Sequence, residues 1–262
     1  MTDDGRPVAL VTGGSRGVGA ETALALARRG YDVALTYRNK GARAEAVVVA
    51  AADTGAGAIA VGADITRAED LARLFATIQD WRGRLDLVVL NASGGLERDL
   101  LAADPHYPWR INRDAQLALV DGCLPLMPRG GTIVFVTSHW AHRHGQVAQF
   151  PMYEPIAASK HAGEQALRAR QDELAAAGVR LIVVTGDLID GTITAKLLER
   201  AAHGLTAARR DAVAYLPTAA DMAAAIVAAA ADPSLPSGHT VVIGGALDSL
   251  PPLSATEPRQ IR

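Results

Sequence analysis

The chain has 262 residues, of which 49% are apolar and 21% charged, and its formal net charge is -2. This balance is typical of a soluble globular protein and provides no positive field for nucleic acid or an anionic membrane surface. The single cysteine, Cys123, excludes an internal disulfide, and no apolar run reaches the roughly 18 residues that span a bilayer. Because the first ten residues do not resemble a secretion signal, we expect a cytoplasmic protein. With nucleic acid and membrane disfavoured, the expected partner is a small molecule.

Short β-branched runs alternate with longer Ala- and Leu-rich stretches of helical period, as in βαβ units. The pattern predicts strands at residues 8–12, 32–37, 58–62, 86–90, 132–137, 180–184 and 240–243. It predicts helices at residues 18–29, 42–53, 69–81, 115–127, 155–177, 193–203 and 218–231. No linker or repeat divides the chain, so we expect one α/β domain over residues 1–262 with a doubly wound, parallel, seven-stranded sheet.

Two segments fit no regular unit, at about residues 93–110 and 138–153, and a third candidate loop spans about residues 187–215. The first two follow the fourth and fifth predicted strands. Ligands of open α/β sheets bind beyond the carboxyl ends of the strands. We therefore expect all three segments to act as substrate loops, the last of them including a mobile cap over residues 193–210.

A glycine-rich turn, residues 12–19, follows the first predicted strand and opens the first helix. Its glycines permit a tight turn and let the backbone approach a pyrophosphate, whose charge is met by N–H groups and the positive helix end. Such a turn also occurs without a ligand, but its position here favours a dinucleotide site of the Rossmann type. The predicted contacts are Gly13, Ser15, Arg16, Gly17, Val18 and Gly19.

The second predicted strand ends without the carboxylate that would bind the ribose hydroxyls of NAD. Residues 36–40 read Thr-Tyr-Arg-Asn-Lys instead. Arg38, beside Asn39, and Arg16 in the glycine turn would clamp a 2′-phosphate, which favours NADPH as the cofactor. The alternative is that both arginines are solvated surface charges.

Two further turns complete a recognisable set. Asp64 and Ile65 follow the third predicted strand, and an Asn-Ala-Ser-Gly turn follows the fourth. Together with the glycine turn, they resemble the short-chain dehydrogenase/reductase family over about residues 6–248. The resemblance implies a single NADP-binding Rossmann domain that forms a homodimer or homotetramer, with adenine between Asp64 and Ile65. It also implies that four residues brace the edge of the nucleotide: Asn91, Ala92, Ser93 and Gly94.

Family members carry a catalytic Asn, Ser, Tyr and Lys, with the Tyr four positions before the Lys. By resemblance, Asn112, Ser138 and Lys160 take three of these roles, and Lys160 also holds the nicotinamide ribose. The fourth position is Ile156, which has no proton to give. In the family, the tyrosine protonates the carbonyl oxygen after Lys⁺ and the cofactor lower its pKa from about 10.

Three interpretations of Ile156 remain open. Tyr153 lies seven residues before Lys160, a spacing that resembles enoyl-acyl-carrier-protein reductases, although Tyr153 would equally suit a pocket wall or the surface. A substrate with a phenol beside its carbonyl would supply its own proton, as in fused aromatic polyketides. A catalytically inactive NADP(H)-binding protein is the third interpretation.

Five of the eleven aromatic residues fall within the first two substrate loops. Such rings suit a flat aromatic guest, although loop aromatics also pack loops onto the body of a protein. Together with one histidine they form the predicted substrate pocket: Tyr107, Trp109, His139, Trp140, Phe150 and Tyr153. The favoured function is an NADPH-dependent ketoreductase of a polycyclic aromatic polyketide. It resembles atypical, simocyclinone-type angucyclinone ketoreductases of antibiotic biosynthesis, which lack the usual catalytic tyrosine.

Two departures from the family pattern affect the site. Ser138 and Lys160 are 22 residues apart, against about 17 in classical members, and the extra residues contain His139, His142 and His144. No carboxylate or cysteine completes a ligand set there, so we expect no metal, and imidazoles that titrate near 6.5 are better candidates as proton donors. The usual Pro-Gly after the sixth strand is also absent. The expected nicotinamide and pyrophosphate contacts there are Gly186, Ile189 and Thr192.

Overall fold

The computed structural model describes residues 5–213 and 215–253, and the rest of the predicted domain lies outside these ranges. Its seven strands form one sheet in the order β3-β2-β1-β4-β5-β6-β7, and every neighbouring pair is parallel. The strands are β1 (Val8–Val11), β2 (Asp32–Tyr37), β3 (Ala58–Gly62), β4 (Leu87–Leu90), β5 (Thr132–Ser138), β6 (Arg180–Gly186) and β7 (Thr240–Ile243). The predicted doubly wound α/β fold is confirmed.

Helices cover both faces of the sheet. They are α1 (Gly17–Arg28), α2 (Gly41–Ala52), α3 (Ala68–Trp81), α4 (Arg98–Ala103), α5 (Tyr107–Trp109), α6 (Ala115–Cys123), α7 (His139–His142), α8 (Glu154–Arg168), α9 (Gln171–Ala177), α10 (Ile193–Ala201), α11 (Leu205–Val213) and α12 (Ala219–Ala231). Within the described ranges, none of these helices is long and apolar enough to cross a membrane.

The apolar runs of the central strands explain the core. Every residue of β1 and β4 is buried, because strands with helices on both faces have no solvent side. One core cluster contains Leu74 and Leu119 from α3 and α6, and the other contains Leu26 and Ile226 from α1 and α12. A third, smaller apolar cluster lies near the end of β5 and includes α8 and the two cap helices α10 and α11.

Several predicted boundaries were wrong. The helix expected at residues 155–177 is divided into α8 and α9, and the guanidinium of Arg168, the last residue of α8, reaches Thr240 of β7. The helix expected at residues 115–127 ends at Cys123, where Pro125 favours a 3₁₀ turn, Leu124–Leu126. The substrate loops contain helices too: α4 and α5 in the first, α7 in the second, α10 and α11 in the third.

A π-helical turn, Arg110–Asp114, joins α5 to α6 and packs against α8. At this contact, a Cβ atom on Gly163 of α8 would lie 2.1 Å from the Asn112 carbonyl oxygen. Only glycine therefore allows α8 to approach the turn so closely. This approach brings Ser159 of α8 within hydrogen-bond distance of the Asn112 side chain.

We expect Gly163→Ala to lower the free energy of unfolding by about 2 kcal/mol, because the added methyl group overlaps the Asn112 carbonyl oxygen. Without that overlap the substitution would stabilise α8 by about 1 kcal/mol, since alanine is the better helix former. Urea denaturation measures the change. The control Gln165→Ala, at an exposed position of α8, should shift stability by less than about 0.5 kcal/mol. A Gly163→Ala protein as stable as the native one would contradict the close approach.

Candidate active site

The Thr12 side chain ties the carboxyl ends of β1 and β4 together. Its buried hydroxyl accepts hydrogen bonds from the backbone N–H groups of Asn91 and Ala92, both at 3.0 Å. The Asn91 side-chain amide in turn donates to the Thr12 carbonyl oxygen at 2.9 Å. These bonds fix residues 91–94 against the glycine turn.

The glycine turn runs from β1 directly into α1. A Cβ atom on Gly19 would lie 2.4 Å from the Gly13 carbonyl oxygen, so the helix approaches the turn as closely as glycine permits. Arg16 is exposed at the N-cap of α1. First-turn N–H groups have no acceptor within a helix, and the N-terminus carries a partial positive charge. The turn therefore has the donors that a pyrophosphate needs.

A cavity of about 550 Å³ opens beyond the carboxyl ends of β2 and β3. Its lining includes Arg38, Asn39 and Asp64, all expected at the adenosine end of the cofactor. Arg38 donates to the Tyr107 hydroxyl at 2.5 Å and pairs with Glu97 at 3.5 Å. The Glu97 pair is partly exposed and therefore weak, so a phosphate would compete with it readily.

Three residues assigned to ligand contacts lie elsewhere. Tyr107 is buried beside Arg38 at the cofactor end of the site, and burial raises its pKa to about 12. Trp109 packs under the Arg113 guanidinium at 5.2 Å. Residues 107–114 are helical rather than irregular, so the rings of Tyr107 and Trp109 lie on different helix faces. Trp109 and Arg113 are four residues apart and therefore pair on the outer face. Ile65, expected to flank adenine, is buried in the core instead.

Ser138 and Tyr153 meet at the carboxyl end of β5. The Ser138 hydroxyl oxygen lies 2.9 Å from the Tyr153 hydroxyl and also accepts from the Ala141 N–H, which caps α7. Tyr153 is 7% exposed, and burial raises its pKa above the usual value, while the bond to Ser138 opposes that shift. Tyr153 is therefore a neutral hydroxyl that faces Ser138 across the site.

Ile156 is buried in the apolar cluster that also contains Tyr153 and Trp140. A Cβ atom on Gly95 would lie 2.8 Å from Ile156 Cγ1, so this side chain packs on the backbone after β4. The Phe150 ring lies 5.3 Å from the Trp140 ring. In the described part of the chain, the buried indole N–H of Trp140 has no acceptor.

The Asn112 side chain is engaged in hydrogen bonds within the protein. Its side-chain amide donates to the Gly94 carbonyl oxygen and to Ser159 Oγ, both at 3.0 Å, and its Oδ1 accepts from the Gly94 N–H at 3.3 Å. Asn112 is 1% exposed. Its side chain therefore joins the segment after β4 to α8 and positions both.

Lys160 is 8% exposed, near the middle of α8. Burial lowers its pKa to about 8, and the negative charge of Glu164 opposes that shift. Glu164 is fully buried and was not singled out from the sequence. Its signal was the four-residue spacing from Lys160, which places the two side chains on the same helix face.

The histidines of the second loop do not line a pocket. His139 is completely buried, with Nδ1 at 3.0 Å from Thr185 Oγ1 and Nε2 at 2.9 Å from the Gly245 carbonyl oxygen. Burial lowers its pKa to about 4, so it is neutral at pH 7 and cannot act as the expected proton donor. Residue 139 begins α7, and this turn directs the ring into the protein.

The other two loop histidines contact carboxylates. His142 Nδ1 lies 2.9 Å from Glu164, and His144 Nε2 lies 3.0 Å from Glu154. Over residues 5–213 and 215–253, no three His, Cys, Asp or Glu side chains are placed to hold a metal ion.

A buried ion pair fixes the second cap helix. Arg209 of α11 donates to both carboxylate oxygens of Asp187, with bonds as short as 2.8 Å, and to the Ser249 carbonyl oxygen at 2.7 Å. Its guanidinium carbon lies 5.3 Å from the Trp140 ring. The sequence does not reveal this pair, because its partners are 22 residues apart and share no motif.

The turn after β6 lies beside Ser138. Gly186 is the register partner of Ser138 in the sheet, and a Cβ atom there would meet the Met222 sulfur at 2.6 Å. Ile189 packs against the core cluster beneath, and the Thr192 hydroxyl caps α10. The three expected cofactor contacts thus lie at this edge, although the Thr192 hydroxyl serves the helix.

Both ends of the site lie along the carboxyl edge of the sheet, where Rossmann folds bind a dinucleotide. The fold and the site thus define a nucleotide-dependent oxidoreductase. A family model described as short chain dehydrogenase matches residues 7–202, and the chain belongs to this family.

Relatives include 1-cyclohexenylcarbonyl-CoA reductase from Streptomyces collinus, 33% identical over 193 residues that cover 72% of this chain and 67% of that protein. Hydroxynaphthalene reductase-like protein Arp2 from Metarhizium robertsii is 35% identical over 160 residues, which cover 60% of this chain and 58% of Arp2. The chain thus matches less than two thirds of the fungal protein.

Solved structures agree over more of the chain. LugOII, described as a promiscuous reductase that catalyses keto-reduction at C1 during lugdunomycin biosynthesis, is 28% identical with a TM-score of 0.77. A short-chain dehydrogenase from Burkholderia cenocepacia in complex with NADP is 29% identical, also with a TM-score of 0.77. Each match covers 92% of this chain and 98% of the other.

We expect Arg209→Ala to lower the free energy of unfolding by about 3 kcal/mol or more, because it leaves the fully buried Asp187 carboxylate without its cation. Its neighbour Arg210 pairs with Asp190 at the surface, and Arg210→Ala should cost less than about 0.5 kcal/mol. Urea denaturation of both variants provides the comparison. Equal losses in the two variants would show that the buried pair has no special role in stability.

Proposed function

We propose that this protein is an NADPH-dependent ketoreductase that reduces a carbonyl of a polycyclic aromatic, angucyclinone-like polyketide in antibiotic biosynthesis. The observation that carries the proposal is the Ser138–Tyr153 hydroxyl pair, 2.9 Å apart at the end of β5 beside an aromatic and apolar cluster. Two adjacent hydroxyls suit a carbonyl oxygen, and the rings of Trp140 and Phe150 suit a flat guest. The likeness to the keto-reducing LugOII supports the same substrate class.

The residues present fit NADPH along the carboxyl edge of the sheet. The glycine turn and the α1 N-terminus would hold the pyrophosphate, and Arg38 with Arg16 would hold the 2′-phosphate. Residues 91–94 and Lys160 would hold the nicotinamide ribose. NADPH, when bound, supplies the hydride.

Ser138 and Tyr153 would orient the carbonyl oxygen by hydrogen bonding. Burial raises rather than lowers the pKa of Tyr153, so this residue is a weak acid, and Ile156 has no proton. We therefore assign the proton to a hydroxyl on the substrate itself, beside the reacting carbonyl.

A second candidate is the reduction of an α,β-unsaturated thioester. The Ser138–Tyr153 contact favours it, because Tyr153 then reaches the site from seven residues before Lys160. The likeness to 1-cyclohexenylcarbonyl-CoA reductase points the same way. NADPH oxidation with crotonyl-CoA, set against an ortho-hydroxyaryl ketone, separates the two: a higher kcat/KM for the thioester would replace the proposed function.

We expect Tyr153→Phe to retain turnover of an ortho-hydroxyaryl ketone within about tenfold, or roughly 1.4 kcal/mol of barrier, because Tyr153 orients the carbonyl and does not protonate it. Methylation of the neighbouring phenol should cost about 100-fold or more, because it removes the proton donor. Steady-state kinetics of both enzymes with both substrates measure the two effects.

Tyr31→Phe, just before β2, is the matched control and should be neutral in this comparison. A loss of several orders of magnitude in Tyr153→Phe, with little effect of methylation, would show that Tyr153 is the proton donor.

We expect Arg38→Ala to weaken NADPH binding by about 10- to 100-fold, since it removes a charged donor from the 2′-phosphate. NADH binding should change by less than about threefold, because NADH has no 2′-phosphate. Fluorescence titration measures both affinities. Arg28→Ala, at the far end of α1, removes an equal charge and should change neither. Equal affinity of the native protein for NADH and NADPH would contradict the assignment.

A further inference from the structure

A row of charged side chains follows one face of α8. Lys160, Glu164 and Arg168 are spaced four residues apart, so they lie one above another. Lys160 is 8% exposed and Glu164 is fully buried. Buried charges need a partner; Glu164 pairs directly with Arg168 and lies one helical turn from Lys160.

Three elements hold the Glu164 carboxylate in place. Its oxygens lie 2.9 and 3.0 Å from His142 Nδ1 of α7, and one of them accepts from Arg168 Nε at 2.9 Å. The other nitrogens of Arg168 donate to the Gly238 carbonyl oxygen and to Thr240 Oγ1, both at 2.6 Å. The carboxylate is therefore fixed by α7, by its own helix and, through Arg168, by the segment that begins β7.

The contact with His142 connects Glu164 to the reacting groups. His142 is the last residue of α7, and the Ser138 hydroxyl caps the first turn of the same helix. Ser138 in turn contacts Tyr153, which precedes α8. One carboxylate thus lies one helical turn from Lys160 and anchors the segment that presents Ser138.

Other charged and titratable groups near this row are already engaged. His161 of α8 contacts the Ala141 carbonyl oxygen at 3.0 Å, and its ring lies 5.8 Å from the His144 ring. On the π turn packed against α8, Arg113 pairs with Asp114 at the surface. Glu164 is the residue whose negative charge opposes the effect of burial on the pKa of Lys160.

We propose that Glu164 is a positioning residue: its buried carboxylate places a negative charge one helical turn from Lys160, and its bond to His142 holds α7 in register with the site. The role of Lys160 in binding the cofactor rests on the proposed function, whereas the placement of Glu164 one turn from Lys160 does not.

The sign of the pH dependence follows from the two charges. Burial lowers the pKa of Lys160 to about 8, so its positive charge is lost as the pH rises through that value. Glu164 opposes the shift, and removal of its charge must lower the pKa further. Any property that needs the ammonium should then be lost at a lower pH.

The direct test is an NMR titration of the protein labelled with ¹³C at lysine Cε. The chain has three lysines, and the exposed Lys40 and Lys196 serve as internal references. In Glu164→Gln, the Lys160 titration should move down by about one pH unit. Gln can still accept hydrogen bonds from His142 and Arg168, and a melting curve checks folding.

Two further variants complete the design. Arg168→Gln removes a positive charge that pairs with Glu164, so the Lys160 titration should move to higher pH. A purely structural role would not produce a shift in that direction. This variant also keeps the test decisive if Glu164→Gln does not fold. Glu173→Gln, at an exposed carboxylate of α9 paired with Arg170, is the matched control and should leave Lys160 unchanged.

The pH at which kcat falls on the alkaline side should shift with the Lys160 titration in each variant. Glu164→Asp, which keeps the carboxylate, should restore most of the native pH profile. A Lys160 titration unchanged in Glu164→Gln and in Arg168→Gln would overturn the inference, as would an activity loss equal at every pH. Because the NMR readout needs neither cofactor nor substrate, a protein that reduces no ketone would refute the proposed function alone.

Discussion

The hydrogen bonds of the Asn112 side chain are the constraint on which the site depends. They join the segment after β4, which faces the expected cofactor, to α8, which carries Lys160. The π turn and the absence of a Cβ atom at Gly163 bring the two elements close enough for these bonds. The cofactor end and the reaction end of the site are therefore fixed relative to each other by packing, before any ligand arrives.

Under the proposed function, Ile156 and Tyr153 have different effects on a bound carbonyl. Ile156 extends the apolar cluster, while Tyr153 brings a hydroxyl to Ser138 from outside the regular turns of α8. Burial raises the pKa of this hydroxyl and keeps it neutral. Under the proposed function, such a site orients the carbonyl and the substrate contributes its own proton.

The fold and the type of cofactor were predictable because they rest on local patterns. Strands buried on both faces, a glycine turn at a helix N-terminus and Arg38 after β2 each have a sequence signature. The positions of the loop aromatics were not predictable, because residues 107–114 proved helical and this helix turns Tyr107 toward Arg38. The buried pair of Asp187 and Arg209 joins distant segments, and periodicity carries no information about such contacts. Ile65 and His139 were misplaced for the same reason, since burial of a loop residue depends on tertiary packing.

The most direct test of the account is a crystal structure of the protein with NADP⁺ and the hydroxylated product of an ortho-hydroxyaryl ketone. The account predicts that the new hydroxyl lies within about 3 Å of Ser138 Oγ or Tyr153 Oη, with the substrate phenol hydrogen-bonded to the same oxygen. The aromatic rings should lie against Trp140 and Phe150. A product whose hydroxyl lies beyond hydrogen-bond reach of both residues, or whose phenol points away from it, would contradict the account.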